Sequence, residues 1–267
     1  MVLGSGNNGQ VLQKLIKHFD DTEIDFFIHW DLKYSLPKFV AKNSHITLIP
    51  RTKVYWGTST QVIAEQKLLQ SVYNSKKNYD YVHLISSTDI PLMTKQYFKT
   101  FFNKPLYLGY SPENKKDYQR LSFYYPIDHL NVKGHINLIR LIKAFNYLFH
   151  INRLKKKDII PMKGPNWFSM SSSFLSTILS YDHMDIFKHS FLSDELYLQT
   201  ILNNYRPKEL KDDNEMAARY IDWERGKPYI FTKKDVLELE SKVNTNFAFA
   251  RKVEDPALVD YIFNDLL

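Results

Sequence analysis

Residues 79–92 read Tyr-Asp-Tyr-Val-His-Leu-Ile-Ser-Ser-Thr-Asp-Ile-Pro-Leu. Tyr81 to Ile85 has the length and the β-branched and aromatic content of a buried strand. Ser86-Ser87-Thr88-Asp89 supplies the turn chemistry that ends it. Upstream, Met1 to Leu3 fits a short strand, and Val11 to Phe19 places Leu12, Leu15, Ile16 and Phe19 on one helical face. Ile24 to Ile28 and Ile46 to Ile49 are further strands, the second ended by Pro50. Ser59 to Tyr73 reads as a helix, with Thr58 or Ser59 as N-cap and Val62, Ile63, Leu68, Leu69 and Val72 apolar. This β-α-β-β-α-β order implies a mostly parallel central sheet flanked by helices. Catalytic groups are then expected at the carboxyl ends of the strands, near a switch in strand order.

The second half is less regular. Leu121 to Tyr125 reads as a strand and His135 to Leu148 as a long amphipathic helix. Phe174 to Leu179, Glu195 to Leu202, Asp235 to Leu239 and Ala257 to Leu266 are expected helices. No repeat, low-complexity tract or linker interrupts the chain, so residues 1–267 are expected to form one domain.

A chain of 267 residues with 44% hydrophobic and 24% charged residues excludes wholesale disorder. No run approaches the ~20 apolar residues of a membrane span. The start, Met1-Val2-Leu3-Gly4-Ser5, lacks signal-peptide character, and the absence of cysteine excludes disulfides, Cys-based zinc sites and a thiol nucleophile. A cytoplasmic location is the simplest expectation. The net charge of +7 favours anionic partners: nucleic acid, phosphorylated substrates or an anionic membrane surface.

Several segments carry candidate chemistry, each beside a plainer reading. Gly4-Ser5-Gly6-Asn7-Asn8-Gly9 matches G-x-G-x-x-G, with Asp31 22 residues beyond the last glycine, as in a dinucleotide fingerprint. It is also at home as an ordinary strand-to-helix turn. Asp31 closes His29-Trp30-Asp31 at a strand's carboxyl end, as a ribose ligand or a surface acid. Arg51 to Gly57 sets two cations and two aromatics, Trp56 among them, before a helix N-terminus, as an anion or sugar site or as a basic loop. Ser193-Asp194-Glu195 is an N-cap with dipole-matching acids, a general base at a cleft, or both. Arg251-Lys252 is a clamp for a leaving diphosphate or a solvated strand end. His135 to Leu148 leads into Asn152-Arg153-Leu154-Lys155-Lys156-Lys157, as an interfacial helix on anionic lipid or as a core helix before a basic loop. No Asp-x-Asp occurs, and His183 has no second His at ligand spacing, so no metal is expected.

Seven segments in order then resemble the core-2/I-branching N-acetylglucosaminyltransferase family (glycosyltransferase family 14). They are Phe27 to Asp31, Val54 to Gly57 leading to Ala64-Glu65, Tyr79 to Leu92, Gly164 to Ser171, Ser193 to Glu195, Arg219 to Trp223 and Phe249 to Lys252. The resemblance implies an α/β GT-A-type nucleotide-sugar-binding fold, with residues 1–110 as donor-nucleotide half and 111–267 as acceptor and catalytic half. It implies an inverting, metal-independent hexosyl- or N-acetylglucosaminyltransferase, without cofactor, using a nucleotide-sugar donor such as a UDP-sugar. By position Glu195 resembles the catalytic base, and Lys252 with Arg251 the metal substitute. Asp31, Arg51 and Trp56 are assigned to the donor, and Asp89, Trp167 and Trp223 to the acceptor.

The chain departs from the family in its lack of cysteine and its short first strand, and a further diphosphate cation is expected near Arg225 to Lys227. These differences suit a cytoplasmic bacterial enzyme of surface polysaccharide synthesis, peripheral on the inner face of the membrane. Its acceptor is then a glycan, free or lipid-linked, and nucleic acid is not a partner. Two alternatives stand beside it, a nucleotide-dependent oxidoreductase using the Gly4–Gly9 loop and a non-catalytic glycan-binding relative.

Overall fold

The structure is a computed structural model that describes all 267 residues, except the side chains of residues 265 and 266. Its central sheet is built from β1 (Val2–Gly4), β2 (Phe26–Trp30), β3 (Ile46–Leu48) and β5 (Ile85–Ser86), in the order β3-β2-β1-β5. Every pair in it is parallel. Helix α1 (Gln10–His18) joins β1 to β2, and α2 (Thr60–Asn74) follows β3.

The period of two along β2 sorts its residues onto the sheet's two faces. Phe26, Ile28 and Trp30 pack with Leu12, Leu15 and Ile16 of α1. Phe27 instead packs with Val62, Leu68, Leu69 and Val72 of α2. The sheet is therefore covered on both faces, which is why β2 reads as an unbroken apolar and aromatic run.

The stretch at residues 79–92 is not one strand. It splits at Leu84 into β4 (Tyr81–His83) and β5, which pair on different sides. β4 runs antiparallel to β8 (Phe168–Ser171), which pairs on its other edge with β7 (Leu106–Leu108). β5 joins the central sheet, and β6 (Ile90–Pro91) enters a third sheet beside β10 (Phe249–Arg251) and β9 (Arg219–Ile221). Eleven residues, Tyr81 to Pro91, thus stitch three sheets together. The wholly buried Arg219 clasps the junction, donating to the carbonyls of Leu84, Phe168 and Ala217 and to Ser169 Oγ.

Several expectations are corrected. Leu121 lies in the last turn of helix α4 (Lys115–Ser122), and residues 123–125 are irregular, so no strand runs from Leu121 to Tyr125. The helix expected from Glu195 is a 3-10 turn at Ser193–Glu195 followed by α7 (Tyr197–Ile201). Ser193 does not cap it, because Leu192 holds that place with φ +50° and the Ser193 hydroxyl is buried without a partner. Ser59 precedes α2 but donates to Asp128 at 2.5 Å and does not cap the helix. The helix α5 (Ile136–Leu148) is present, yet only Ile139 and Asn146 of it are buried, which overturns the core-helix reading. Helices α3 (Lys95–Phe101), α6 (Phe174–Leu179), α8 (Asp213–Met216), α9 (Val236–Glu240) and α10 (Pro256–Tyr261) complete the chain.

Candidate active site

The chain leaves β1 towards β2 and β3 on one side, then returns to β5 on the other. The switch in strand order therefore lies between β1 and β5, where crevices form at the strands' carboxyl ends. A cleft of about 650 Å³ opens there, floored by Gly4 and Ser5 at the end of β1 and by Ser86 at the end of β5.

Asp31, one residue past β2, is nearly buried in this cleft. Its Oδ1 accepts from the backbone N–H groups of Lys33 at 3.0 Å and Val54 at 3.2 Å, and Lys33 Nζ lies 3.3 Å from Oδ2. The neighbouring His29 accepts at Nε2 from the Thr52 N–H at 3.0 Å, which leaves its other nitrogen to carry the proton. Burial, with the nearby charge of Lys67, holds its pKa down at about 4, so this imidazole is neutral at physiological pH.

Glu195 faces the same cleft with about a third of its side chain exposed. Arg120 Nη2 donates to its Oε2 at 2.8 Å. The same guanidinium donates to the carbonyls of Phe191 and Leu192 and pairs with Asp117 at 3.3 Å. A nearly buried arginine tied at four points fixes the carboxylate's direction. Asp194 beside it also lines the cleft. Burial, then the charge of Glu195, pushes the Asp194 carboxyl up to about 7. Glu65 of α2 is buried deeper, and burial with the charge of Asp194 drives its pKa well above the usual range. Asn166, which lines the cleft, donates to Glu65 at 2.7 Å.

The opposite wall is cationic and aromatic. Arg251, at the end of β10, stacks its guanidinium 4.1 Å from the Trp167 ring centre. Its Nη1 donates to Asp89 Oδ1 at 3.0 Å. Lys227 lines the cleft as well, within the interval where an additional cation was expected. Trp56 and Trp223 stand on the rim about half exposed, as faces on which a sugar ring can lie.

Six residues singled out from the sequence therefore meet in one cavity: Asp31, Trp56, Trp167, Glu195, Trp223 and Arg251. Three do not. Asp89 has no exposed surface, and its carboxylate is taken up by the Ser86 N–H, the Ser86 hydroxyl and Arg251, so it anchors Arg251 and does not reach an acceptor. Arg51 is outside the cleft lining, where it donates to the carbonyls of Leu32 and Tyr34. Lys252 also lies outside the lining, paired with Glu254. The sequence reading missed Arg120 and Lys33, and it quoted Glu65 and Asp194 only as parts of the segments Ala64-Glu65 and Ser193 to Glu195, with no separate role. No motif marks Arg120, since the segment that carries it was read as leading into a strand.

The glycine loop has a packing explanation. A Cβ on Gly4 would stand 2.0 Å from the Trp30 ring, and one on Gly9 would meet Pro37 and Phe39 within 2.9 Å. Trp30 Nε1 donates to the Gly6 carbonyl at 3.1 Å, with Gly6 at φ +91°. These glycines let an indole lie against the turn, and a cofactor is not needed to account for them. Among the described residues, no group of three or more His, Cys, Asp or Glu is placed to hold a metal ion.

A parallel sheet with a polar cleft at its switch point, walled by a carboxylate on one side and cations and indoles on the other, defines an α/β group-transfer enzyme. Residues 1–242 match the family model described as Core-2/I-Branching enzyme, and the chain belongs to that family of glycosyltransferases. No curated protein matches the sequence. The family overturns the oxidoreductase alternative, and the α/β architecture is consistent with a GT-A-like fold.

Proposed function

We propose that this glycosyltransferase is inverting and metal-independent, and that it moves a sugar from a UDP-sugar to a glycan hydroxyl. One observation carries the reading: a carboxylate fixed by Arg120 and the cations Arg251 and Lys227 line one cavity at the switch point. The single domain divides into a donor half, residues 1–110, and an acceptor and catalytic half, residues 111–267.

The nucleoside lies against Asp31 at the β2 end, and the diphosphate extends towards Arg251 and Lys227. The acceptor ring rests on Trp223 and Trp56. Its hydroxyl gives its proton to Glu195 as the oxygen forms a bond to the anomeric carbon. The bond from that carbon to the diphosphate oxygen breaks on the opposite face, and the electron pair leaves with the nucleoside diphosphate. Preorganised cations neutralise the charge that develops there, the part a divalent ion otherwise plays. Lys227 takes the place first assigned to Lys252.

The test is a thermal-shift titration with UDP and UDP-sugars, with and without EDTA, together with turnover of Glu195→Gln. A ligand at about 100 times its Kd stabilises the fold by about 2.7 kcal/mol, and EDTA leaves that shift in place. Glu195→Gln binds UDP but turns over about 100-fold or more slowly. Wild-type turnover by this variant would remove Glu195 as base, and no turnover by the wild type itself would favour a glycan-binding relative. A shift abolished by EDTA would overturn metal independence.

A further inference from the structure

The exposed side of α5 is apolar. Leu141, Phe145, Leu148 and Phe149 fall at i, i+4, i+7 and i+8, hence along one face, and each is more than half exposed. The opposite side is the packed one. Ile139 is buried and Ile142 partly so, both against the cluster of Phe123, Tyr125, Ile127 and Val132, and Asn146 is buried against the Tyr124 backbone. The helix is therefore held to the protein by one face and shows apolar groups to solvent on another.

The charge around it is one-sided. Residues 129–157 contain seven Lys and Arg and no Asp or Glu. The other 29 Lys and Arg of the chain equal its 29 Asp and Glu, so the whole net charge of +7 resides in this segment. Lys133, Arg140, Lys155 and Lys156 are exposed. Arg153 and Lys157 are turned inward, to the carbonyls of Asp185, Ile186 and His189 and to the Asp185 carboxylate.

We infer that α5 docks on an anionic lipid bilayer, with Leu141, Phe145, Leu148 and Phe149 inserted at the interface and the surrounding cations on the headgroups. A second copy of the chain fits this face poorly, because pairing would bring two sets of seven cations together. The segment begins at the cleft, where Asn131 lines the cavity and the Val132 N–H donates to the Trp56 carbonyl at 3.3 Å. Docking thus brings the cleft to the membrane surface. If the transferase reading above holds, the glycan acceptor is one carried on a lipid.

The test is co-sedimentation of the whole chain with vesicles of phosphatidylcholine alone or with about 30% phosphatidylglycerol. Binding is expected to the anionic vesicles only, and to fall in about 1 M salt, where the screening length is about 3 Å. Leu141→Gln, Phe145→Gln and Leu148→Gln together are expected to lower the bound fraction about tenfold or more. Lys155→Gln with Lys156→Gln should weaken it to a smaller degree. An unaltered melting temperature of the triple variant separates lost docking from lost folding. No sedimentation with anionic vesicles, equal binding by the triple variant, or a wild-type dimer that the triple variant splits would each overturn the inference. The readout uses no sugar donor, so failure of the transferase reading shows in the titration above and not here.

Discussion

Asp194→Asn separates the cost of a buried carboxylate from everything else that titrates. Asp194 is partly buried at the cleft wall with its Oδ1 shut off from solvent and unpartnered, and burial together with Glu195 carries its carboxyl from the usual 3.8 up to about 7. A carboxyl held above its unfolded value binds its proton more tightly in the folded protein. Stability is therefore lost as pH rises from the unfolded pKa to the folded one, here from about 4 to about 7. At 1.36 kcal/mol per pH unit the loss is about 4 kcal/mol, of which about 3 kcal/mol falls between pH 5 and pH 8. Asn keeps the shape and cannot ionise. Buried histidines pull the other way: burial holds His83 far below its usual range and His29 at about 4. Each costs stability as pH falls below the unfolded value near 6.5, so the raw profile mixes both trends. The difference in melting temperature between Asp194→Asn and wild type cancels the histidine part. That difference should grow by about 8 °C from pH 5 to pH 8, taking 2–4 °C per kcal/mol for a chain of this size. Parallel profiles would refute the argument. Turnover adds a second readout: a loss in Asp194→Asn as deep as in Glu195→Gln would move the base to Asp194.

Two substitutions probe the scaffold that positions the site. Gly4→Ala puts a methyl 2.0 Å from the ring of Trp30, an indole with no exposed surface into which to retreat, and should cost about 1–3 kcal/mol in denaturant unfolding. An unchanged midpoint would show that the β1 turn yields, and the packing account of that glycine would fail. Arg219→Met strips the carbonyls of Leu84, Phe168 and Ala217 of their donor and should cost about 3 kcal/mol or more, seen as poor soluble yield or a much lower melting point. A variant as stable as wild type would mean that the three sheets hold without the clasp.

The parallel sheet was legible because its signals are local. β2 alternates between two covered faces, α1 carries a clean apolar stripe, and the Ser86 to Asp89 turn follows the strand directly. Asp31 was singled out because it follows a readable strand, and Glu195 because its segment resembles the family's, since the helix expected to start there is a 3-10 turn that Glu195 ends. What escaped depends on contacts far apart in sequence. Arg120 meets Glu195 across 75 residues, and Asp89 meets Arg251 across 162, so neither pairing leaves a spacing to detect. The split at Leu84 is hidden for the same reason, since both pairing partners, Met1 and Phe168, lie more than 80 residues away. Lys252 follows the end of β10 and pairs with Glu254 outside the cleft lining, a parting from Arg251 that their adjacency in sequence does not reveal. The exposed face of α5 illustrates a different limit. Its hydrophobic residues go nearly all the way round the helix, and periodicity alone does not say which of them the protein covers.

Charge pairing within the cleft decides which cation matters most for the donor. Lys33 sits 3.3 Å from Asp31, and Arg251 is shared with Asp89, so both enter the cavity already neutralised in part. Of the cations that line the cavity, Lys227 alone has no ion pair among the described residues. On the proposed reading, a diphosphate would compete with Asp31 and Asp89 for the first two and would meet Lys227 unopposed. Lys227→Met should therefore weaken UDP by about 1 kcal/mol, near fivefold in Kd, since its exposed position lets water and salt screen part of the interaction. Uridine carries no phosphate and should bind the variant as it binds wild type. Calorimetric titration of both ligands makes the comparison, and higher salt should shrink the UDP difference. An equal loss for uridine would place Lys227 against the nucleoside or in the structure of the loop. No loss for UDP would return the charge-neutralising role to Arg251 alone, leaving the donor held by a guanidinium that Asp89 already half satisfies.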